Sequence, residues 1–111
     1  MPIANCFIKN KHITQSELHE LATQWASEIH VDVKDICLAV LTEFMQVGQL
    51  YEVMVNLFLP SIWSNDDVKK IQKSLLTLLS GHFNIAPSEI FIMTSIIQSG
   101  HVIENGEILE W

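Results

Sequence analysis

The 111-residue sequence predicts one α+β domain of two tandem β-α-β pseudo-repeat units, about residues 1–48 and 51–111. The first sign is an internal repeat with a period of roughly 50 residues. The apolar stretch 53–59 can be laid on 2–8, with Asn and Phe coinciding. The second sign is a pair of amphipathic helices, and the third is a β-rich apolar stretch on each side of each helix. Parallel strands joined by right-handed crossovers then give a four-stranded sheet with two helices on one face.

The two predicted helices span about residues 15–30 and 65–82, and each follows a polar capping residue. Thr14 and Glu17 have the capping-box pattern before the first helix, and Ser64 begins a similar pattern before the second. Apolar residues then recur at helical spacing. They are Leu18, Leu21, Ala22, Trp25, Ala26 and Ile29, then Val68, Ile71, Leu75, Leu78 and Leu79. Each helix is expected to bury this apolar face against the sheet.

The strands predict a sheet with a second apolar face. They are expected at residues 3–8, 36–44, 53–59 and 89–97. Successive side chains of a strand point to opposite faces, and apolar residues such as Ile3 and Cys6 occupy both alternations. Two helices cover only one face. The other face is expected to be buried by association with further copies of the chain.

The tail from 101 to 109 predicts a small C-terminal hairpin. Its Asn105-Gly106 pair is the residue combination that a tight hairpin turn requires. Such a hairpin could pair with a neighbouring subunit's sheet edge. Trp63 and Trp111 flank turns and could line a pocket or a subunit contact, of which the contact is preferred.

The composition excludes several functions. The net charge is -7 and all six basic residues are lysines, without the basic, aromatic-rich patch of a nucleic-acid-binding protein. There is no run of about 18 apolar residues and no signal-peptide pattern, so no membrane partner is expected. Cys6 and Cys37 are predicted to be reduced core thiols. The absence of metal-binding spacing, a phosphate loop or a nucleophile elbow predicts neither a metal nor a cofactor. The protein is expected to be cytoplasmic.

The N-terminus carries the candidate catalytic residue, Pro2. A small second residue usually allows removal of Met1, which would leave Pro2 with a free secondary amine. An α-amino group titrates at about 7.7–8, and burial or a nearby cation lowers that pKa. A neutral amine at pH 7 is a general base or a nucleophile. The alternative is that Pro2 only begins an edge strand, and retention of Met1 would leave its nitrogen a non-basic amide.

The chain, with Pro2 at its start followed by two strand-helix-strand units, resembles the tautomerase superfamily, which includes 4-oxalocrotonate tautomerase and macrophage migration inhibitory factor. Residues 2–4 resemble the amino-terminal motif of the former, and residues 41–43 resemble the hydrophobic-Thr-Glu end of its second strand. Residues 85–92 are similar to the Ile-Ser-Pro-Asp-Arg-Val-Tyr-Ile stretch of the latter, and residues 61–62 to its Ser-Ile pair. The resemblance implies a tautomerase/MIF-like fold, a homotrimer, and Pro2 as catalytic base at a subunit boundary.

The resemblance also implies a small carbonyl-acid ligand. The candidate substrate-binding residues are Ile62 through its backbone N–H, Lys34, Phe91, Lys9, Lys11 and His12. The last three follow the first strand, where a solvated turn is the commoner meaning of such a cluster. The chain departs from the family pattern because it has no arginine: Leu38 and His12 lie where arginines would be expected. Lysine cannot make the planar bidentate grip of arginine on a carboxylate, so the pocket is expected to hold a diacid poorly.

Two functions from different classes fit this sequence. The first is a tautomerase that uses Pro2 to move a proton between carbon and oxygen of a small carbonyl acid. The second is a non-catalytic homotrimer of the same fold that serves binding or structure and lacks the substrate-anchoring residues. Intact mass separates the two states of the N-terminus, because only loss of Met1 frees the Pro2 amine.

Overall fold

The computed structural model describes residues 1–111 and contains a four-stranded mixed sheet with two helices on one face. The strands are β1 (Ile3–Ile8), β2 (Cys37–Leu41), β3 (Val53–Pro60) and β4 (Ile90–Ile97). The helices are α1 (Gln15–Glu28) and α2 (Asn65–Phe83), and short 3-10 turns at Val33–Asp35 and Pro87–Glu89 precede β2 and β4. The strand order is β2-β1-β3-β4. Strands are parallel within each unit and antiparallel where β1 meets β3, so the predicted fold class is confirmed.

Both helices begin where the capping residues predict. The Thr14 hydroxyl accepts a hydrogen bond from the Glu17 N–H at 3.1 Å, and the Glu17 carboxylate accepts one from the Thr14 N–H at 3.4 Å. Ser64 caps α2 by accepting from the Asp67 N–H at 3.1 Å. The second helix ends at Asn84, whose φ of 53° is left-handed, a conformation that asparagine tolerates better than most residues.

The core lies between the helices and one face of the sheet. Every second residue of the two central strands is fully buried there: Ala4, Cys6, Ile8, Val53, Val55, Leu57 and Leu59. The apolar helix faces meet them through Leu21, Trp25, Ile71, Leu75 and Leu79, as their spacing predicts. Full burial of one large aliphatic side chain stabilises a fold by about 1.5–3 kcal/mol. The alternation of β1 and β3 therefore decides which face the helices cover.

The opposite side of the sheet, here called the open face, is apolar and uncovered within one chain. The strand register and the alternation of side chains assign to it Ile3, Asn5, Phe7, Cys37, Ala39, Leu41, Met54, Asn56, Phe58, Phe91, Met93 and Ser95. Met93 is 56% exposed and Leu41 is 41% exposed. The second apolar face that the sequence predicts is therefore present.

The second strand and its cysteine differ from the prediction. β2 ends at Leu41 rather than near Phe44, and Phe44 packs edge-to-face on Phe7 with ring centroids 5.6 Å apart. Cys37 is exposed, so its assignment to the core was wrong. The reason is alternation, because Cys37 lies opposite Ile3 and shares the open face with it. Cys6 is buried as expected, and burial raises the pKa of its thiol to about 12.

The tail forms the predicted hairpin, with β5 (Val102–Glu104) paired to β6 (Glu107–Leu109). Asn105 and Gly106 have φ values of 55° and 78°, which is the pair of left-handed residues that a tight type I′ turn requires. The hairpin closes further at its base, where the Gly100 N–H donates to the Leu109 carbonyl at 2.9 Å. Neither α1 nor α2 has the length and continuous apolar character that a bilayer crossing requires.

We predict that the buried Cys6 thiol makes stability fall in alkaline solution. An unfolded thiol ionises near 9.0, whereas the folded thiol holds its proton to about 12, so folding stability is complete below pH 9 and declines above it. Urea unfolding from pH 8 to pH 10.5, compared with Cys6→Ala, measures this. Cys6→Ala should have a lower free energy of unfolding at every pH, because it removes a packed side chain, but that free energy should not fall above pH 9 through this thiol. Equal slopes for both proteins would show that Cys6 ionises normally.

Candidate active site

The N-terminus is held firmly at the start of the central strand β1. The Pro2 side chain is fully buried, and the Pro2 carbonyl accepts a hydrogen bond from the Cys37 N–H at 2.9 Å. Met1 precedes it and is 38% exposed. Because β1 lies between β2 and β3, the Pro2 nitrogen has a fixed position in the fold. The edge-strand alternative does not apply, since β1 is a central strand.

An apolar pocket of ≈ 220 Å³ opens beside this terminus. Met1 and Ile3 supply one wall, Pro60 and Ile62 at the end of β3 supply another, and the tail closes it with Trp111. These segments meet because β1 and β3 are antiparallel, which brings the start of one strand to the end of the other. The site therefore combines the chain terminus with an apolar cavity.

The C-terminal tryptophan is a wall of this pocket. The Trp111 indole N–H donates to the Ser61 hydroxyl at 3.0 Å, and the Trp111 backbone N–H donates to the Ser99 hydroxyl at 2.7 Å. The structure shows Trp111 in the pocket wall, which is one of the two roles predicted for it, and the preferred subunit contact stays a prediction. Ile62 is 60% exposed at the pocket, and its N–H makes no backbone hydrogen bond and so remains free to donate to a ligand.

Two carboxylates that sequence reasoning missed act on the terminal amine. Desolvation by burial lowers the pKa of the Met1 amine below its ordinary 8.0, and the carboxylates of Asp35 and Glu104 oppose that shift. Asp35 lies two residues before Cys37, which bonds the Pro2 carbonyl, and Glu104 ends β5. Only the tertiary fold brings these segments to the terminus. In the sequence, the one indication of such carboxylates was the acidic composition of the tail.

Three of the predicted site residues, Pro2, Ile62 and Lys34, share this end of the sheet. Ile62 lines the pocket next to the terminus. Lys34 lies in the 3-10 turn before β2, where its N–H donates to the Asp32 carboxylate at 2.9 Å. Because β2 runs parallel to β1, this turn is at the Pro2 end of the sheet, and the Lys34 side chain is exposed.

The other predicted residues lie at the far end. Lys9, Lys11 and His12 are exposed residues that follow the end of β1, whose six residues span about 20 Å. Phe91 lies opposite Met54 near the same end and stacks on Tyr51 with ring centroids 4.8 Å apart. Within one chain these residues are too far from Pro2 to contact a small ligand placed beside it. A neighbouring chain would have to bring them there.

Comparisons with known proteins establish the fold. No family model matches the sequence, and no curated protein matches it. Solved structures that resemble the chain include fused 4-OT proteins, a member of the cis-3-chloroacrylic acid dehalogenase family and macrophage migration inhibitory factors, which confirms the tautomerase/MIF-like fold that the sequence resemblance implies. The chain has the fold of the tautomerase superfamily.

Three of these structures illustrate the likeness. The wild-type R7 fused 4-OT asymmetric trimer has a TM-score of 0.79 at 9% identity, over 96% of this chain and 94% of that one. Pt0534 inactivated by 2-oxo-3-pentynoate has a TM-score of 0.76 at 9% identity, with the same shares covered. The macrophage migration inhibitory factor-like protein of Entamoeba histolytica has a TM-score of 0.71 at 14% identity, covering 94% and 95%. At these identities the likeness concerns the backbone fold alone.

We predict that the terminal amine of the Met1-retaining chain titrates below 8.0 in the folded state, because burial disfavours its charged form. The midpoint of N-terminal acylation against pH, read by mass spectrometry, measures this, with the urea-unfolded chain as reference. Replacing both carboxylates, Asp35→Asn with Glu104→Gln, should lower the midpoint further. A folded midpoint at or above the unfolded one would contradict the prediction.

Proposed function

We propose that the chain without Met1 is a tautomerase that moves a proton between carbon and oxygen of a small carbonyl compound. The resemblance makes a carbonyl acid the first ligand to test. The observation that supports this most is an apolar pocket lined by Met1 and Ile3, the residues on either side of the fully buried Pro2. Loss of Met1 would also enlarge the pocket, because Met1 supplies part of its wall. One processing step would then create both the base and the space for a ligand.

The chemistry needs a neutral amine at Pro2. Burial disfavours a charged ammonium, so the Pro2 amine is expected to have a pKa below the ordinary α-amino value. The neutral nitrogen takes a proton from the carbon next to the carbonyl, and the electron pair of the broken C–H bond forms an enolate. The protonated amine then returns the proton to oxygen or to another carbon. A positioned base of this kind contributes about 10²–10⁴-fold.

The developing enolate oxygen requires a donor. Ile62 lines the same pocket, and its N–H, which makes no backbone hydrogen bond, is the donor proposed for this oxygen. Stabilisation of an oxyanion in a dry site is usually the larger part of such catalysis. Lys34 is on the same side and could add charge from its exposed position. We assign Ile62 to the oxyanion and Lys34 to the rim of the site.

The proposed assembly is a homotrimer. The open face is apolar, and burial of such a face is favourable. Pro2 and Phe91 lie at opposite ends of the sheet, so a neighbouring chain is needed to place Phe91, Lys9, Lys11 and His12 at the site. Trimers occur among the solved structures of this fold. The site would then lie at a subunit boundary.

A second proposal is that the chain is a non-catalytic homotrimer of the same fold with a binding or structural role. The observation that favours it is the complete absence of arginine, the residue type that holds a carboxylate bidentately. In both proposals the protein is cytoplasmic and has no nucleic-acid or membrane partner. The net charge of -7 supports the exclusion of nucleic acid.

We expect Pro2→Ala to lower kcat/KM for ketonisation of enol phenylpyruvate by about 10–100-fold, because a primary amine replaces the fixed secondary amine. Both proteins lose Met1, which intact mass verifies. The Met1-retaining parent is the matched control, since its Pro2 nitrogen is an amide, and it should be inactive. Parent and Pro2→Ala proteins of equal activity would show that Pro2 only begins a strand. No activity in either would favour the non-catalytic proposal.

The 12.6 kDa chain should sediment as a trimer at micromolar concentration. Met93→Glu places a charge on the open face, in the middle of the edge strand β4, and should shift the equilibrium toward monomer while the far-UV circular dichroism stays unchanged. Thr77→Glu, on the exposed surface of α2, is the matched control and should remain trimeric. A parent protein that sediments as a monomer would end the trimer proposal.

A further inference from the structure

The two chain segments that flank the terminus and its apolar pocket are acidic. From residue 101 to residue 111 the chain has three glutamates and no lysine or arginine: Glu104, Glu107 and Glu110. The segment that precedes β2 adds Asp32 and Asp35 against one cation, Lys34. Carboxylates therefore outnumber ammonium groups on the two segments that flank the chain terminus.

The hairpin geometry directs this charge to the pocket. Val102 lies opposite Leu109, and both line the pocket. Glu104 lies opposite Glu107, two residues further along each strand, and alternation places both on the same face of the hairpin as the pocket-lining pair. Asp35 lies on the segment before β2, two residues before Cys37, whose N–H donates to the Pro2 carbonyl. Two carboxylates on separate segments thus flank the terminal amine.

These charges have a direct consequence for a ligand. A carboxylic acid bound against Pro2 would bring another negative charge to a site that already holds two, and no arginine is present to offset it. An uncharged ligand meets no such repulsion, and the pocket walls are apolar. A dry apolar cavity of about 150 Å³ holds benzene. The ≈ 220 Å³ pocket therefore has room for one aromatic ring with a short side chain.

We infer that the apolar pocket beside the chain terminus takes an uncharged apolar carbonyl compound, such as an aryl-substituted ketone, and disfavours carboxylic acids through Asp35 and Glu104. This rests on the proposed function only for the reaction that follows binding. The preference for a ketone over an acid arises from the apolar pocket walls and the carboxylates around them, and does not require catalysis. Within one chain Lys34 does not reverse it, because it is a single exposed ammonium against two carboxylates, and Lys9 and Lys11 lie at the far end of the sheet.

A matched ligand pair tests this directly. The ketone 4-phenylbutan-2-one and the acid 3-phenylpropanoate share one skeleton and differ in a methyl group against a charged oxygen. NMR titration of the Met1-free protein at pH 7 should give at least about tenfold tighter binding of the ketone, a factor that corresponds to about 1.4 kcal/mol. Asp35→Asn with Glu104→Gln should bring the ratio of the two affinities down toward one. Glu20→Gln, on the exposed surface of α1, should leave the ratio unchanged.

The outcomes separate the two proposals. Equal or tighter binding of the acid, or no binding of either compound, would overturn the inference, and so would an unchanged ratio in the double variant. Added salt should narrow the preference, because screening weakens repulsion at an exposed rim. Ketonisation of the enol methyl ester of phenylpyruvate is followed in parallel. If the ester is not turned over but the protein still binds the ketone more tightly than the acid, the proposed reaction is rejected and the inferred ligand class is kept.

Discussion

The antiparallel contact between β1 and β3 is the constraint on which the rest of this structure depends. It joins the two β-α-β units, and its register sets Ile3 opposite Phe58. That register buries one alternation of both strands under the helices and exposes the other. It also carries the N-terminus to the end of β3, where Pro60 and Ile62 form a pocket wall. A shift of one residue would exchange the two faces and remove the site.

The same constraint separates the predicted site residues between the two ends of one chain. Because β1 and β3 are antiparallel, the two similar units run in opposite directions, and the two ends of the sheet carry different residues. One end has the Pro2 terminus and the apolar pocket, and the other has the Tyr51–Phe91 stack near Lys9. An apolar open face links the ends. Association through that face is the proposed route by which one chain's terminus meets another chain's aromatic end.

The local elements were predictable because local chemistry decides them. Thr14 and Ser64 supply the hydrogen bonds that begin each helix, and Asn105-Gly106 supplies the left-handed pair of the hairpin turn. Residue spacing also predicted the helix faces. The placement of Cys37 failed because a strand's face depends on its partner's register, which no local pattern states.

The sequence by itself determined the fold class, the repeat, the helix boundaries to within about two residues, and Pro2 as the candidate residue. It also determined the absence of arginine, which governs how an acid could be held. Only the tertiary structure decided what surrounds Pro2: the Trp111 wall, the free Ile62 N–H, and the carboxylates of Asp35 and Glu104. The physical reason is that hydrogen bonding and apolar periodicity act between near neighbours in the chain. Desolvation and charge act through space, between segments that only folding brings together.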